Sequence, residues 1–249
     1  MAEIENSVKS LSDQGKKGLG VLIDPDKYTD EKLVQTLDIC HKSGVDFLFC
    51  GGSLLTDDRF EKVISLIKSN TTIPVVIFPG NGMQISRNAD AILLLSLVSG
   101  RNPDLLIGQH VMAAPLLKAS GLEVIPTAYL LIDGGRVSTT QYISNTQPIP
   151  ADKADIAVCT ALASEMLGFR IIYLEAGSGA ALPVPEKMIT RVKSNISLPL
   201  IVGGGIRSGE QAKKMYLAGA DVIVIGNAVE SDPKIILDIS LIKTNFNNH

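Results

Sequence analysis

Short apolar runs recur along the chain: LGVLI (19–23), DFLFC (46–50), PVVIF (74–78), AILLL (91–95), EVIPTAYLLI (123–132), RIIYLE (170–175), LPLIV (198–202) and DVIVIG (221–226). Each is too short for a helix and rich in Val, Ile and Leu, the pattern of parallel strands buried on both faces. Between most of them the period changes. Residues 30–43 place Leu33, Val34, Leu37 and Cys40 on one helical face, and 57–68 do the same with Phe60, Val63, Ile64 and Ile67. Residues 152–167 and 208–218 behave alike. Asp and Ser at the starts predict N-caps, and Gly44, Gly168 and Gly219 predict C-terminal stops. Eight such units in 249 residues predict an α/β fold of the closed (β/α)₈ TIM-barrel type, one domain spanning 1–249, with an open doubly wound sheet as the rival. Two connections are irregular. The 79–89 stretch is too short for an ordinary helix, so the third helix is predicted to be replaced by a loop or one irregular element. The 133–150 stretch is long and polar, with a Gly-Gly pair and two prolines, and reads as a lid or binding loop.

Composition narrows the class. The net charge is −3 with both signs interspersed, aromatics are sparse and Trp is absent, which argues against nucleic acid as a partner. Cys40, Cys50 and Cys159 follow no metal or disulfide spacing and read as reduced core residues of a cytoplasmic protein. The N-terminal stretch is polar and lacks an apolar targeting core, and no apolar run approaches a membrane span. His110 reads as a helix-face residue, and His41 and His249 have no partner pattern.

Candidate chemistry gathers at strand ends. The sixth, seventh and eighth runs finish in YLEAGSG (173–179), VGGGIRSGE (202–210) and IGNAVE (225–230). In a barrel these loops are neighbours on one face. Glycine lets main chain approach a ligand, and amides at helix starts point at an anion. Three such turns in successive units predict a phosphate site, where one alone reads as a strand-to-helix turn. The first strand ends in LIDPDK, with Asp24, and the second in CGGS, with Ser53. An Asp and a hydroxyl from adjacent strands fit Mg²⁺ shared with substrate phosphates. On composition alone the plainer reading is preferred, with Asp24 or Asp26 capping a turn and Ser53 as a turn residue. Lys27 reads either as a diphosphate partner or as a solvated charge.

Together LIDPDK, CGGS, VIFPGN, SGRNP, YLEAGSGA, VGGGIRS and IGNAV resemble, in order and over nearly the whole chain, the geranylgeranylglyceryl phosphate synthase family, also called PcrB-like. The resemblance implies a barrel modified at its third helix and a homodimer or larger homo-oligomer. It implies transfer of a prenyl group from a long isoprenyl diphosphate to the C3 hydroxyl of sn-glycerol 1-phosphate. It places Mg²⁺ at Asp24 and Ser53. It places glycerol 1-phosphate at Tyr173, Leu174, Glu175, Ala176, Gly177, Ser178 and Gly179, with Gly204, Gly205, Gly226 and Asn227. Some relatives carry a lysine where this chain has Leu22. Glu175 is then the base for the glycerol hydroxyl, and Tyr173 orients the glycerol or faces the developing cation. The purely structural alternatives are a paired buried acid and a packed ring. The prenyl tail calls for an apolar groove past the irregular third unit, with Ile77, Phe78, Leu97 and Val98 as candidates, and a greasy substrate allows transient contact with a membrane surface. Two other functions compete on the same phosphate loops: an isomerase or lyase of a phosphorylated sugar or indole precursor, and a non-catalytic phosphometabolite-binding barrel.

Overall fold

The computed structural model describes residues 3–82 and 84–248; His249 lies outside them. Eight parallel strands close in sequence order: β1 (Gly18–Ile23), β2 (Phe47–Cys50), β3 (Val75–Ile77), β4 (Ala91–Leu97), β5 (Glu123–Leu131), β6 (Ile171–Glu175), β7 (Leu200–Gly203) and β8 (Val222–Ile225). The barrel reading holds. Strand alternation splits the core into two layers. Phe49, Leu93, Tyr129, Tyr173, Ile201 and Val224 fill the barrel interior. Leu48, Ile92, Leu130, Leu174, Val202 and Ile223 face the helices.

The helical periodicity found α2 (Asp30–Lys42), α3 (Phe60–Asn70), α6 (Ala154–Met166) and α8 (Gly209–Ala218), with α4 (Gln109–Ser120), α7 (Glu186–Lys193), α9 (Asn227–Ser231) and α10 (Ile235–Asn247) completing the outer layer. Gly44, Gly168 and Gly219 end their helices at φ of 64°, 89° and 116°. Ser208 caps α8, accepting from the Gln211 amide. Asp30, Asp57 and Asp152 are not caps; Thr29 caps α2, and α3 and α6 begin without a side-chain cap. Among the described residues of 78–90 there is no helix, as predicted. The 133–150 stretch is not all loop: it carries α5 (Thr139–Ser144), capped by Ser138.

The polar N-terminal stretch forms α1 (Glu3–Asp13), which periodicity did not flag. Its Ile4 and Val8 join the interior layer and plug the bottom of the barrel. The Glu123 carboxylate accepts from the Ile4 and Glu5 amides at 2.9 and 2.7 Å, satisfying donors that a helix start leaves free. The same end holds two anchoring ion pairs, Lys193–Asp221 at 2.6 Å and Lys243–Asp46 at 2.9 Å. Cys40 and Cys50 are buried, and burial raises both thiols, so neither is a ready nucleophile. Cys159 is exposed, contrary to the core reading; α6 turns it to solvent.

Candidate active site

Alternation along β6 decides what its end offers. Ile171 and Tyr173 point into the barrel, so Glu175 does as well, at the C-terminal mouth. Leu174 and Ala176 point the other way and pack in the outer layer. Their side chains therefore do not face the cup, and only their main chain borders it. The Gly177 amide donates to Glu175 Oε1 at 2.8 Å and holds the carboxylate.

Glu175 is 8% exposed. The Tyr173 hydroxyl lies beside its carboxylate. Burial pushes its pKa up to about 7, against the lowering effect of the Gly177 amide and the Tyr173 hydroxyl. Glu175 is paired in register with Gly203, and glycine is required there and next door. A Cβ at Gly203 would lie 2.5 Å from Tyr173 Oη and 2.6 Å from Glu175 Oε2. Gly204, at φ 79°, would drive a Cβ into Glu175 Oε1.

Tyr173, Glu175, Ser178, Gly179, Gly204, Gly205, Gly226 and Asn227 line one cavity of about 560 Å³, together with Asp24, Ser53 and Lys27 from the opposite wall. The three glycine-rich loops do converge. Gly179 N donates to Asn227 Oδ1 at 2.8 Å, joining the sixth and eighth loops, and Arg207 donates to the Ala180 carbonyl at 2.7 Å, joining the seventh to the sixth. Asn227 Oδ1 also accepts from Ser178 Oγ at 3.3 Å. On the opposite wall Asp24 Oδ1 accepts from the Asp26 amide at 3.0 Å, so the capping reading of Asp24 is correct as far as it goes. The same carboxyl lies 3.4 Å from where a Gly52 Cβ would stand, next to Ser53. Partial burial raises its pKa. Asp26 braces the loop beyond Ser53, accepting from Thr56 N at 2.6 Å and Thr56 Oγ1 at 3.0 Å.

A second cavity of about 250 Å³ opens beside the cup, in the space where a third helix would lie. Leu94, Leu95, Ile85, Ala113 and Leu117 give it apolar walls between β4 and α4. Phe78 and Leu97 line it as expected; Ile77 and Val98 pack in the outer layer instead. His110, on the face of α4 as expected, also lines it, its Nε2 3.0 Å from Ser96 Oγ. Burial lowers its pKa, which favours the neutral ring.

Sequence reasoning missed Tyr129, Thr140, Arg136 and Arg207, all of which line the cup. Tyr129 was findable, because alternation from Leu131 turns it inward. Arg136 and Thr140 reach the cup because the 133–150 stretch, read as a lid or binding loop, folds over the mouth; nothing local singles out these two residues within it. Tyr129, Tyr173 and Phe78 form an aromatic wall with centroid separations of 5.3 to 5.9 Å.

A barrel with a phosphate-type cup, a buried acid in it and an apolar groove alongside defines a class of enzyme that brings an anionic polar substrate to a greasy one. Residues 16–243 match the PcrB family, and the chain belongs to that family. It is 51% identical to a geranylgeranylglyceryl phosphate synthase of Chitinophaga pinensis over 96% of this chain and 94% of that one. It is 46% identical to the enzyme of that name from Pyrococcus horikoshii, over 84% and 82%. Among solved structures, the (S)-3-O-geranylgeranylglyceryl phosphate synthase of Thermoplasma acidophilum, in complex with substrate sn-glycerol-1-phosphate, superposes with a TM-score of 0.92 at 36% identity, covering 98% of this chain and 99% of that one.

Proposed function

We propose that the chain is a prenyltransferase that joins the C3 hydroxyl of sn-glycerol 1-phosphate to a long isoprenyl diphosphate, geranylgeranyl diphosphate by default. The observation that carries this is the meeting of two cavities: a polar cup holding Glu175 and an apolar groove, sharing Ser53, Leu54, Phe78, Tyr129 and Thr140 at their junction. An isomerase or lyase of a small phosphorylated metabolite has no use for the groove.

The glycerol phosphate sits with its phosphate among Ser178, Gly179, Gly204, Gly205 and Asn227, and its C3 hydroxyl at Glu175. The prenyl carbon C1 loses its bond to the diphosphate oxygen and becomes cation-like against the Phe78, Tyr129 and Tyr173 rings. The glycerol oxygen forms the new C–O bond, and its proton passes to Glu175, whose pKa near neutrality suits a base. Fixing the alcohol by its phosphate keeps oxygen and carbon in reacting geometry. Asp24 and Ser53 offer one carboxylate and one hydroxyl, a set of hard oxygens that fits Mg²⁺ sharing its remaining positions with substrate phosphate. Among the described residues no cluster of three or more His, Cys, Asp or Glu is placed to hold an ion alone, in keeping with an ion that arrives with the diphosphate. When bound, Mg²⁺ neutralises charge on the leaving diphosphate.

The working state we propose is a homo-oligomer in the cytoplasm that touches a membrane surface to collect its lipid substrate. Among the described residues no helix is long and apolar enough to cross a membrane. In support of a contact surface, Val111, Met112 and Leu116 on α4 are 63%, 79% and 59% exposed.

Incubation with Mg²⁺, sn-glycerol 1-phosphate and geranylgeranyl diphosphate should yield an organic-extractable phosphate and free diphosphate. No such product with any of several prenyl lengths would overturn the reading in favour of a phosphometabolite-binding barrel.

A further inference from the structure

At the junction of the two cavities the hydroxyls of Ser53 and Thr140 meet. Thr140 Oγ1 is 2.9 Å from Ser53 Oγ, and Tyr129 lines both cavities at the same place. Thr140 comes from α5, the helix inside the 133–150 stretch, whereas Ser53 and Tyr129 stand at the ends of β2 and β5. Both ends of α5 are fixed. Its cap Ser138 is buried against Gly177, where a Cβ would meet Ser138 Cβ at 2.6 Å. At the other end the Ser144 carbonyl accepts from Asn102 Nδ2 at 3.0 Å. Thr140 is thus held over the junction by contacts that do not involve its own hydroxyl.

A hydroxyl has one proton and two lone pairs. For Ser53 to turn a lone pair toward a cation, its proton must go to an acceptor on the other side, and groups that orient a ligand in this way govern metal affinity. We propose that Thr140 is a positioning residue for the prenyl transfer: it accepts the Ser53 proton, leaving the Ser53 lone pairs to face the cup, and so makes docking of α5 a condition for assembling the cation and diphosphate end of the site. The inference rests on the prenyltransferase reading and on Asp24 and Ser53 as the cation pair.

Thr140→Val removes the hydroxyl and keeps the shape; Thr140→Ser keeps the hydroxyl and removes the methyl. Binding of Mg²⁺ with inorganic diphosphate, followed by calorimetry, should weaken roughly tenfold in the Val variant and return to within about twofold of wild type in the Ser variant. In turnover assays the half-saturating Mg²⁺ should rise by a similar factor, while KM for glycerol 1-phosphate stays put. Unchanged Mg²⁺–diphosphate affinity in Thr140→Val, or an equal loss in both variants, would overturn the assignment, the latter pointing to methyl packing instead. A wild-type protein that shows this Thr140 dependence yet makes no lipid product would overturn the prenyltransferase reading and leave Thr140 supported.

Discussion

In the cup, main chain does the building. Gly177, Gly179, Gly204 and Gly205 all hold positive φ, and main-chain groups of the sixth loop tie it to the Asn227 and Arg207 side chains of the other two. In the groove, side chains of β4 and α4 wall a space that exists because the chain between β3 and β4 skips a helix. The cup is polar and sized by backbone, so it tolerates little change. The groove is apolar and sized by side chains, so its shape is open to adjustment by single substitutions. An enzyme of this kind can keep a fixed headgroup chemistry while its lipid specificity varies.

The largest expected effect lies in the cup. Glu175→Gln keeps the acceptor for Gly177 N but removes the base, and kcat should fall roughly 10²–10⁴-fold with KM for glycerol 1-phosphate nearly unchanged. Equal losses in both, or full activity, would remove Glu175 as the base. In wild type, kcat/KM should fall about tenfold per pH unit once pH drops well below 7, as the carboxylate takes up its proton. The linkage to stability runs the opposite way. The folded pKa of Glu175 is raised from the model-peptide value of 4.5 to about 7, so the native state holds a proton that the unfolded chain has released between those values. Stability therefore declines as pH rises through that window. Thermal melts of Glu175→Gln should show a larger gain over wild type at pH 8 than at pH 4.5; a constant difference would mean that burial does not hold this proton.

The groove yields a smaller and more selective effect. Ala113 is nearly buried in α4 and faces the cavity. Ala113→Phe should fill much of it. The kcat/KM ratio for a twenty-carbon over a ten-carbon diphosphate should drop, by a factor on the order of ten or more if a few methylenes lose their burial at about 0.8 kcal/mol each. KM for glycerol 1-phosphate should not move. A uniform loss with both chain lengths would mean that the prenyl tail runs elsewhere.

Most of the barrel was legible because eight Val/Ile/Leu-rich runs leave few topologies open. The cup was legible because its glycines are a local signal of close main-chain approach. The missing third helix showed in simple chain length. What stayed hidden depended on long-range packing. The amphipathic α1 sits in polar sequence, and its docking is fixed by Glu123, more than a hundred residues away. The inward face of β6 separates Tyr173 and Glu175 from Leu174, yet a motif read as one block takes all three together. Thr140 and Arg136 look like ordinary loop residues until α5 folds over the mouth.

Arg136 supplies the smallest predicted effect. It lies against Gly179: a Cβ there would come within 2.5 Å of its guanidinium. The glycine thus admits the arginine across the loop as well as freeing the main chain. Nearby acids, Glu175 and Glu230, give the cup negative charge that a phosphate must face. An exposed guanidinium at the rim offsets part of that repulsion, and because it is exposed its contribution is modest and screened by salt. Arg136→Ala should raise KM for glycerol 1-phosphate about threefold to fivefold at low ionic strength, which corresponds to the 0.5–1 kcal/mol of an exposed ion pair, with kcat unaltered. Raising the salt should shrink the gap between variant and wild type. A kcat loss that salt does not change would place Arg136 at the leaving diphosphate instead of at the glycerol phosphate.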